Sequence, residues 1–286
     1  MTGKETCNCP LCGHDSQKPS GFKQGDFSIV RCGECELYYL SPRLSQAAME
    51  EHYANANYFE GGDSGYDSYA SQEQPLRMTF RRLLENLSRQ GMCGGSVLDV
   101  GCGYGYFLDE AANYFEWRGG TDYSAGALER ARPRADQVFQ GGIEAVPADL
   151  KFDCIVALHV VEHVYDPRSF VESLYARLKP GGHLLLAAPD MGSWWRPLMG
   201  KHWPSFKYPE HVVYYDKKTL AQLMTTVPLE DHKSIPYPHA FPLNLVLSKL
   251  RVPKLGILDR RAVWMPATTV AIAARKPTAD FVRIAA

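Results

Sequence analysis

Three groups of residues have the types and spacings that chemistry needs. His159, Glu162 and His163 spell H-x-x-E-H, which on a helix places two imidazoles and a carboxylate around a zinc ion for hydrolysis. Cys9, Cys12, Cys32 and Cys35 form two C-x2-C pairs with 19 residues between them, the spacing of a closed four-thiolate zinc site. Gly101, Gly103 and Gly105 follow an apolar run of Val97, Leu98 and Val100 and precede a helical pattern from Tyr106. Glycines there let the chain turn sharply and approach a ligand closely.

The elements around each group decide its meaning. The H-x-x-E-H string is entered by Val156, Ala157 and Leu158, a strand pattern, and the next helix begins only after Tyr165, Asp166 and Pro167. The two histidines therefore do not share one helical face, and a zinc hydrolase is not the expected reading. His159 is expected at a strand end, with Glu162 and His163 in the following turn.

The cysteine pairs sit in short knuckles whose turns Gly13 and Gly33 favour. Four thiolates leave no open position on the metal, so this ion holds a fold and does no chemistry. Cys7 is a spare thiol and His14 a weaker substitute ligand, while Cys93, Cys102 and Cys154 read as packing thiols.

After the knuckles, Ser45 to Tyr53 reads as a short helix. A Gly/Asp/Ser/Tyr-rich stretch with Tyr58, Tyr66 and Tyr69 follows, and serves as a lid over a pocket or as surface anchoring. Leu76, Phe80, Leu83, Leu84 and Leu87 then recur at helical period between Pro75 and Arg89.

Beyond the glycine loop, the strand WRGGTDY brings Asp122 to a position 21 residues after Gly101, the offset of a carboxylate that accepts two ribose hydroxyls. A dinucleotide fingerprint wants G-x-G-x-x-G. Here the third glycine comes one residue early and Asp99 sits inside the strand end, which argues against a nicotinamide oxidoreductase.

Composition sets limits. The chain has 286 residues, a formal net charge of -1 and a pI near 6.7, so no basic field draws it to nucleic acid. The stretch MTGKETCNCP has no apolar signal core, and no apolar run reaches the ~20 residues of a membrane span. The expectation is a cytoplasmic protein with reduced thiols.

The motifs together resemble the class I S-adenosylmethionine-dependent methyltransferases. VLDVGCGYG (97–105) is similar to their first motif, and Asp122 to the acidic end of their second strand. FQGGIEAVP (139–147) resembles their third-strand loop, FDCIVALHVVEHVYDP (152–167) the fourth strand and its turn, and LKPGGHLLLAAPD (178–190) the fifth strand. The resemblance implies an α/β fold: a Rossmann-like, mostly parallel sheet with an antiparallel last strand, beside a small zinc-ribbon-like N-terminal module. It divides the chain into a zinc module (1–45), a linker and helical lid (46–92) and a cofactor-binding domain (93–286) with a cap-like insertion at 238–266. It implies S-adenosylmethionine as cofactor, held by Asp99, Gly101, Gly103, Gly105, Asp122, Tyr123, Ile143, Glu144 and Leu158. One departure stands out. Gly142 occupies the position of the family's adenine-contacting aspartate, so the Ile143 amide or the Glu144 side chain must replace it.

A subgroup of these enzymes carries four N-terminal cysteines and, later, W-P, P-E-H and a Tyr/Phe pair. HWPSFKYPEHVVYYDKKTLAQLM (202–224) is similar to that pattern. The subgroup's acceptors are sugars, quinone precursors and other small metabolites, and its P-E-H histidine, here His211, faces the acceptor. Methyl transfer from a sulfonium is an in-line displacement in which alignment supplies most of the rate. A hydroxyl, amine or carbon acid also needs a base, and histidine suits neutral pH. His211 is the first candidate base and His159 the second, with His202 weaker. Glu162 and His163 hold the turn, or hold a divalent ion. Tyr66, Tyr69, Trp194, Trp203 and Tyr214, with Trp195 and Phe206 nearby, are the candidate acceptor wall.

Two rival functions follow from the same motifs: an rRNA or tRNA methyltransferase that uses the zinc module to bind RNA, and a non-catalytic module that keeps the fold. The insertion, apolar with Lys249, Arg251, Lys254, Arg260 and Arg261 interleaved, is expected to cap a pocket or to make a homodimer contact.

Overall fold

The computed structural model describes residues 3–55, 72–249 and 261–278. The N-terminal part holds β1 (Lys4–Glu5), β2 (Gln17–Gln24), β3 (Phe27–Cys32), β4 (Tyr38–Leu40), β5 (Arg43–Leu44) and α1 (Gln46–Asn55). Then comes α2 (Glu73–Arg89). Its apolar stripe buries Phe80, Leu83, Leu84 and Leu87, and Glu73 in the first turn and Arg89 in the last suit the helix dipole. Arg77 ties this helix to Asp109 at 2.7 Å and to Glu110 at 2.8 Å.

The central sheet is built from β6 (Ser96–Val100), β7 (Trp117–Asp122), β8 (Gln137–Gln140), β9 (Phe152–Leu158), β10 (Leu178–Pro189), β12 (Glu230–Ser234) and β15 (Thr269–Arg275). Between them lie α3 (Tyr106–Glu110), α4 (Ala125–Ala131), α5 (Pro167–Arg177), α6 (Trp195–Met199), β11 (Val213–Tyr214), α7 (Lys217–Met224), β13 (His239–Pro242), α8 (Leu243–Lys249) and β14 (Ala262–Met265). The strand order is β12-β15-β10-β9-β6-β7-β8. Every pair from β10 to β8 is parallel, and β15 runs antiparallel to both β10 and β12. This is the expected sheet, with its antiparallel last strand. Phe152–Leu158 is almost wholly apolar because both faces of a parallel sheet are covered.

Two apolar layers flank the sheet. One joins α2 and α3 to Val97, Cys154, Val156 and Leu185. The other runs from Leu98, Ile155 and Leu186 into Cys9, Cys32, Cys35, Leu37 and Tyr39. The cysteine module therefore shares a core with the sheet. A second sheet strengthens the join: β11, contributed by the PEHVVYY segment, is the edge strand of β11-β4-β3-β2, with Val213 opposite Tyr39 and Tyr214 opposite Tyr38. Within the insertion, β13 and β14 pair antiparallel, His239 opposite Met265.

Candidate active site

One group of polar residues forms at the C-terminal ends of β6, β7 and β8, where the sequence places the cofactor contacts. Gly101 turns the chain at φ 78°, and a Cβ there would lie 2.5 Å from Val160 Cγ2. The Gly103 amide donates to Asp122 Oδ2 and the Ser124 amide to Oδ1, both at 2.9 Å. Two backbone donors thus fix the carboxylate and leave its other lone pairs for ligand hydroxyls. Burial holds Asp122 above its ordinary range against the pull of those amides. Asp99 lies beneath it, 3% exposed, and burial first and the Asp122 charge second push its carboxyl up to about 8.

At the neighbouring loop, Glu144 Oε1 accepts from the Gly142 amide at 2.7 Å and from the Tyr123 hydroxyl at 2.9 Å. A Cβ on Gly142 would stand 2.6 Å from Glu144 Oε2. The Glu144 carboxylate therefore fills the space where a side chain at 142 would begin. Tyr123 stays 75% exposed beside it.

A second group gathers around Glu162. His159, at the end of β9, has a left-handed backbone with φ 59°, anchored by its amide to the Ala187 carbonyl at 2.9 Å. Val161–His163 form a single 3-10 turn, and α5 starts only at Pro167, capped by the Asp166 side chain. The H-x-x-E-H string is thus not helical, as its context implied. His159 Nδ1 lies 3.5 Å from Glu162 Oε1. Burial works to raise Glu162, but the His159 contact and the charges of His159 and His163 outweigh it and hold the carboxyl below its ordinary range.

His163 Nδ1 donates to the Glu210 carbonyl at 3.1 Å, and its ring meets that of His211 edge to face at 4.8 Å. Burial keeps His211 neutral, far below its ordinary range. Ligand atoms of Glu162, His163 and His211 lie within 4.8 Å of one another. Glu162 Oε2, His211 Nδ1 and His159 Nε2 are buried and have no hydrogen-bond partner.

In the N-terminal module, the sulfurs of Cys9, Cys12, Cys32 and Cys35 also lie within 4.8 Å of one another, with Cys9 Sγ 3.4 Å from Cys35 Sγ and Cys12 Sγ 3.5 Å from Cys32 Sγ. Neither Cys7 nor His14 belongs to the group. Burial opposes ionisation of Cys32, yet the amides of Cys35 and Glu34 and the neighbouring thiols bring it down to about 7. Four thiols converging on one point, with knuckle amides aimed at sulfur, fit a tetrahedral thiophilic cation.

The aromatic candidates divide. Tyr214 lies 6.1 Å from His211, ring to ring, and packs on Phe206, which in turn meets Trp203 at 5.0 Å. Trp203 and Tyr214 are buried in a seam with Ile29, Leu40 and Met191. Trp194 is not drawn into this seam: it is 52% exposed and stacks on Trp195, whose Nε1 donates to the Pro266 carbonyl. Leu158 ends β9 beside His159, and Ile143 is buried in the turn after Gly142. Tyr66 and Tyr69 fall outside the described residues.

Sequence reasoning missed Tyr237 and His239. Their rings lie 5.9 and 5.7 Å from His159; Tyr237 is buried with no partner for its hydroxyl, and His239 is half-buried. The signal was their i, i+2 spacing in the proline-interrupted stretch IPYPHAFP (235–242), which puts both on one face of an extended chain.

A glycine-lined turn, an amide-fixed carboxylate at the end of the next strand and the sheet order with its antiparallel last strand are those of a class I methyltransferase domain. The comparisons agree: the methyltransferase domain family matches residues 69–233, more than half of the chain, and the chain belongs to that family. The ubiquinone biosynthesis O-methyltransferase of Vibrio parahaemolyticus is 34% identical over 124 residues, 41% of this chain and 51% of that protein. The mitochondrial ubiquinone biosynthesis O-methyltransferase of Schizosaccharomyces pombe is 32% identical over 108 residues, 35% of this chain and 39% of that protein. The matched stretch thus spans about half or less of these relatives' length. A solved SAM-dependent methyltransferase from Archaeoglobus fulgidus superposes with a TM-score of 0.52 at 17% identity, covering 81% of this chain and all of that one, and so shares the fold. Among the described residues no helix is long and apolar enough to cross a membrane.

Proposed function

We propose that the protein transfers a methyl group from S-adenosylmethionine to a small hydroxylated metabolite, a sugar or a phenolic quinone precursor, and that the four cysteines hold a structural zinc ion. The observation that carries the reading is that two polar sites share the C-terminal edge of one parallel sheet: the amide-fixed Asp122 carboxylate, and the cluster of Glu162, His159 and His211. Asp122 would hold the ribose, and Glu144 would take the role of the missing aspartate at position 142. The bound cofactor supplies an activated methyl on a sulfonium with a neutral thioether as leaving group. His211, neutral and buried, would accept the acceptor's proton, with His159 the alternative; Glu162 would steady the resulting imidazolium. The ubiquinone-pathway relatives favour a phenol among the acceptors. A near-neutral chain offers no basic field for RNA. A reducing compartment such as the cytoplasm suits four free thiolates.

The test is methyl transfer from labelled cofactor to a panel of neutral sugars and phenols, read as S-adenosylhomocysteine release. Release that depends on one of these acceptors supports the reading. Cofactor binding without release on any acceptor supports a binding module, and release only on RNA supports the rival enzyme.

A second reading has its own observation. Glu162 Oε2 and His211 Nδ1 are buried without partners beside His163. A divalent ion between them would orient acceptor oxygens in place of a histidine base. Turnover that survives His211→Ala but is lost on chelation and restored by Mn2+ would favour the ion.

A further inference from the structure

We propose that the four-cysteine module is one wall of the acceptor cleft, and that the order its metal imposes holds Glu162 and His211 in place while leaving the cofactor side untouched. This goes beyond the proposed reaction and rests on the zinc reading above; the experiment separates the two.

A single residue, Val212, carries the connection. The Leu40 amide donates to the Val212 carbonyl at 2.9 Å, and the Val212 amide donates to the Glu162 carbonyl at 2.9 Å. Leu40 ends β4, which pairs on one side with β3, ending at Cys32, and on the other with β11, directly after Val212. Backbone order therefore runs from the second knuckle, through β3 and β4, to the residue beside His211 and on to the turn that carries Glu162.

Side chains follow the same route. Tyr215 is fully buried and feels both the Glu162 carboxylate and the Cys9 thiol. Tyr39, also fully buried, lies beside Cys9, Cys7 and Cys32. Neither hydroxyl has a hydrogen-bond partner. Glu36, which follows Cys35 directly, pairs with Lys218 at 2.6 Å, fastening the knuckle to α7. At the far end of the turn, Tyr165 donates to the Leu44 carbonyl at 2.8 Å and Arg43 donates to the Tyr165 carbonyl at 3.3 Å.

The cofactor side is tied differently. Asp122 is held by Gly103 and Ser124, and Glu144 by Gly142 and Tyr123, all of them residues of the central domain. A metal bound by four cysteines is a cross-link between knuckles, and its binding free energy is local folding free energy. Its loss should loosen what the module grips and spare what it does not touch.

The test is hydrogen–deuterium exchange on the full chain, zinc-loaded and after chelation under reducing conditions, with calorimetry of S-adenosylhomocysteine on both forms. On metal loss, peptides covering 159–164 and 211–216 should exchange faster by about tenfold or more. Peptides over β7 and Tyr123–Ser124 should not change, nor should the ligand's affinity, and zinc should restore the slow exchange. If the knuckle peptides loosen while 159–164 and 211–216 keep their protection, the proposal is overturned and the zinc reading stands. If the protection of β7 and ligand binding are lost together with the module, the effect is global and the proposal is also overturned. A chain that holds no zinc as purified and takes none up overturns both readings.

Discussion

His159 faces Glu162 with 3.5 Å between Nδ1 and Oε1, and does so from a left-handed backbone at φ 59°. Histidine at positive φ is uncommon and costs on the order of 1–3 kcal/mol. That conformation lets the imidazole turn Nδ1 to the buried carboxylate, while the buried Nε2 has no hydrogen-bond partner. The same carboxylate neighbours His163 and His211, so Glu162 joins the three imidazoles into one cluster.

Glu162→Gln keeps the shape and removes the charge. Turnover should fall by roughly 10²-fold or more if the carboxylate steadies a protonated histidine. S-adenosylhomocysteine binding should not change, because Asp122 and Glu144 do not depend on Glu162. Steady-state kinetics beside calorimetry checks both halves, and a kcat within about twofold of wild type would remove Glu162 from the chemistry.

His211→Ala and His159→Asn separate the two candidate bases. Asparagine tolerates the left-handed backbone, so the second variant should stay folded. The base should cost about 10²–10⁴-fold in kcat, and the other histidine much less. If both variants turn over at the wild-type rate, neither histidine takes the proton.

Asp99 links the site to pH. Its carboxyl is raised from 3.8 to about 8, so the folded chain holds this proton more tightly than the unfolded chain does. The sign follows: its contribution to stability is most favourable below pH ~4 and declines as pH rises towards 8, by at most about 1.4 kcal/mol per pH unit. Asp99→Asn should remove that slope, with the largest gain over wild type at pH 8 and above. Urea denaturation of ligand-free protein at pH 5, 7 and 9 reads it, and parallel pH profiles for the two proteins would refute the assignment.

Two histidines act in the opposite direction. Burial lowers His239 from 6.5 to about 3 and takes His211 well below 6.5. Groups kept neutral in the folded state stabilise above pH 6.5, and that contribution is lost as pH falls towards 3. His239→Phe, which keeps a ring to stack on Phe241, should flatten the fall in Tm between pH 7 and pH 5. An unchanged acid slope would mean that His239 does not stay neutral.

Much of this was legible in the sequence for a physical reason. Short-range patterns carry their own geometry. The glycine run after Val100, the carboxylate at Asp122 and the paired C-x2-C knuckles each require particular residues at particular offsets, and the sheet followed from them. The Glu144 carboxylate beside Gly142 was similarly foreseeable, because two residues reach one another across a tight turn. What sequence could not give was pairing at a distance. Nothing in PEHVVYY announces that Val213 and Tyr214 complete the sheet of Tyr38 and Tyr39, since a two-residue strand has no periodicity. Tyr237 and His239 escaped for the same reason: their role exists only once β12 and β13 bring them to His159. Trp194 is exposed where Trp203 and Tyr214 are buried, because an aromatic residue's type does not say which side of a helix start it will face.

The glycine turn can be tested by a paired substitution. Gly101→Ala combines a left-handed backbone with a Cβ 2.5 Å from Val160 Cγ2. It should lower stability by about 1–3 kcal/mol and weaken cofactor binding. Adding Val160→Ala should recover the steric part and leave the conformational part, so the two changes should be non-additive in thermal denaturation. Strict additivity would mean that the contact is not what fixes the turn.

The most direct test of the central claim is calorimetry with S-adenosylmethionine and S-adenosylhomocysteine on the wild-type chain and on Asp122→Ala. Removing a carboxylate that accepts ligand hydroxyls should cost about 1.5–3 kcal/mol, roughly tenfold to a hundredfold in Kd. The result expected is saturable one-to-one binding by the wild type, weakened to that degree in the variant. Absence of binding by the wild type at millimolar ligand, or equal affinity of the two proteins, would contradict the account.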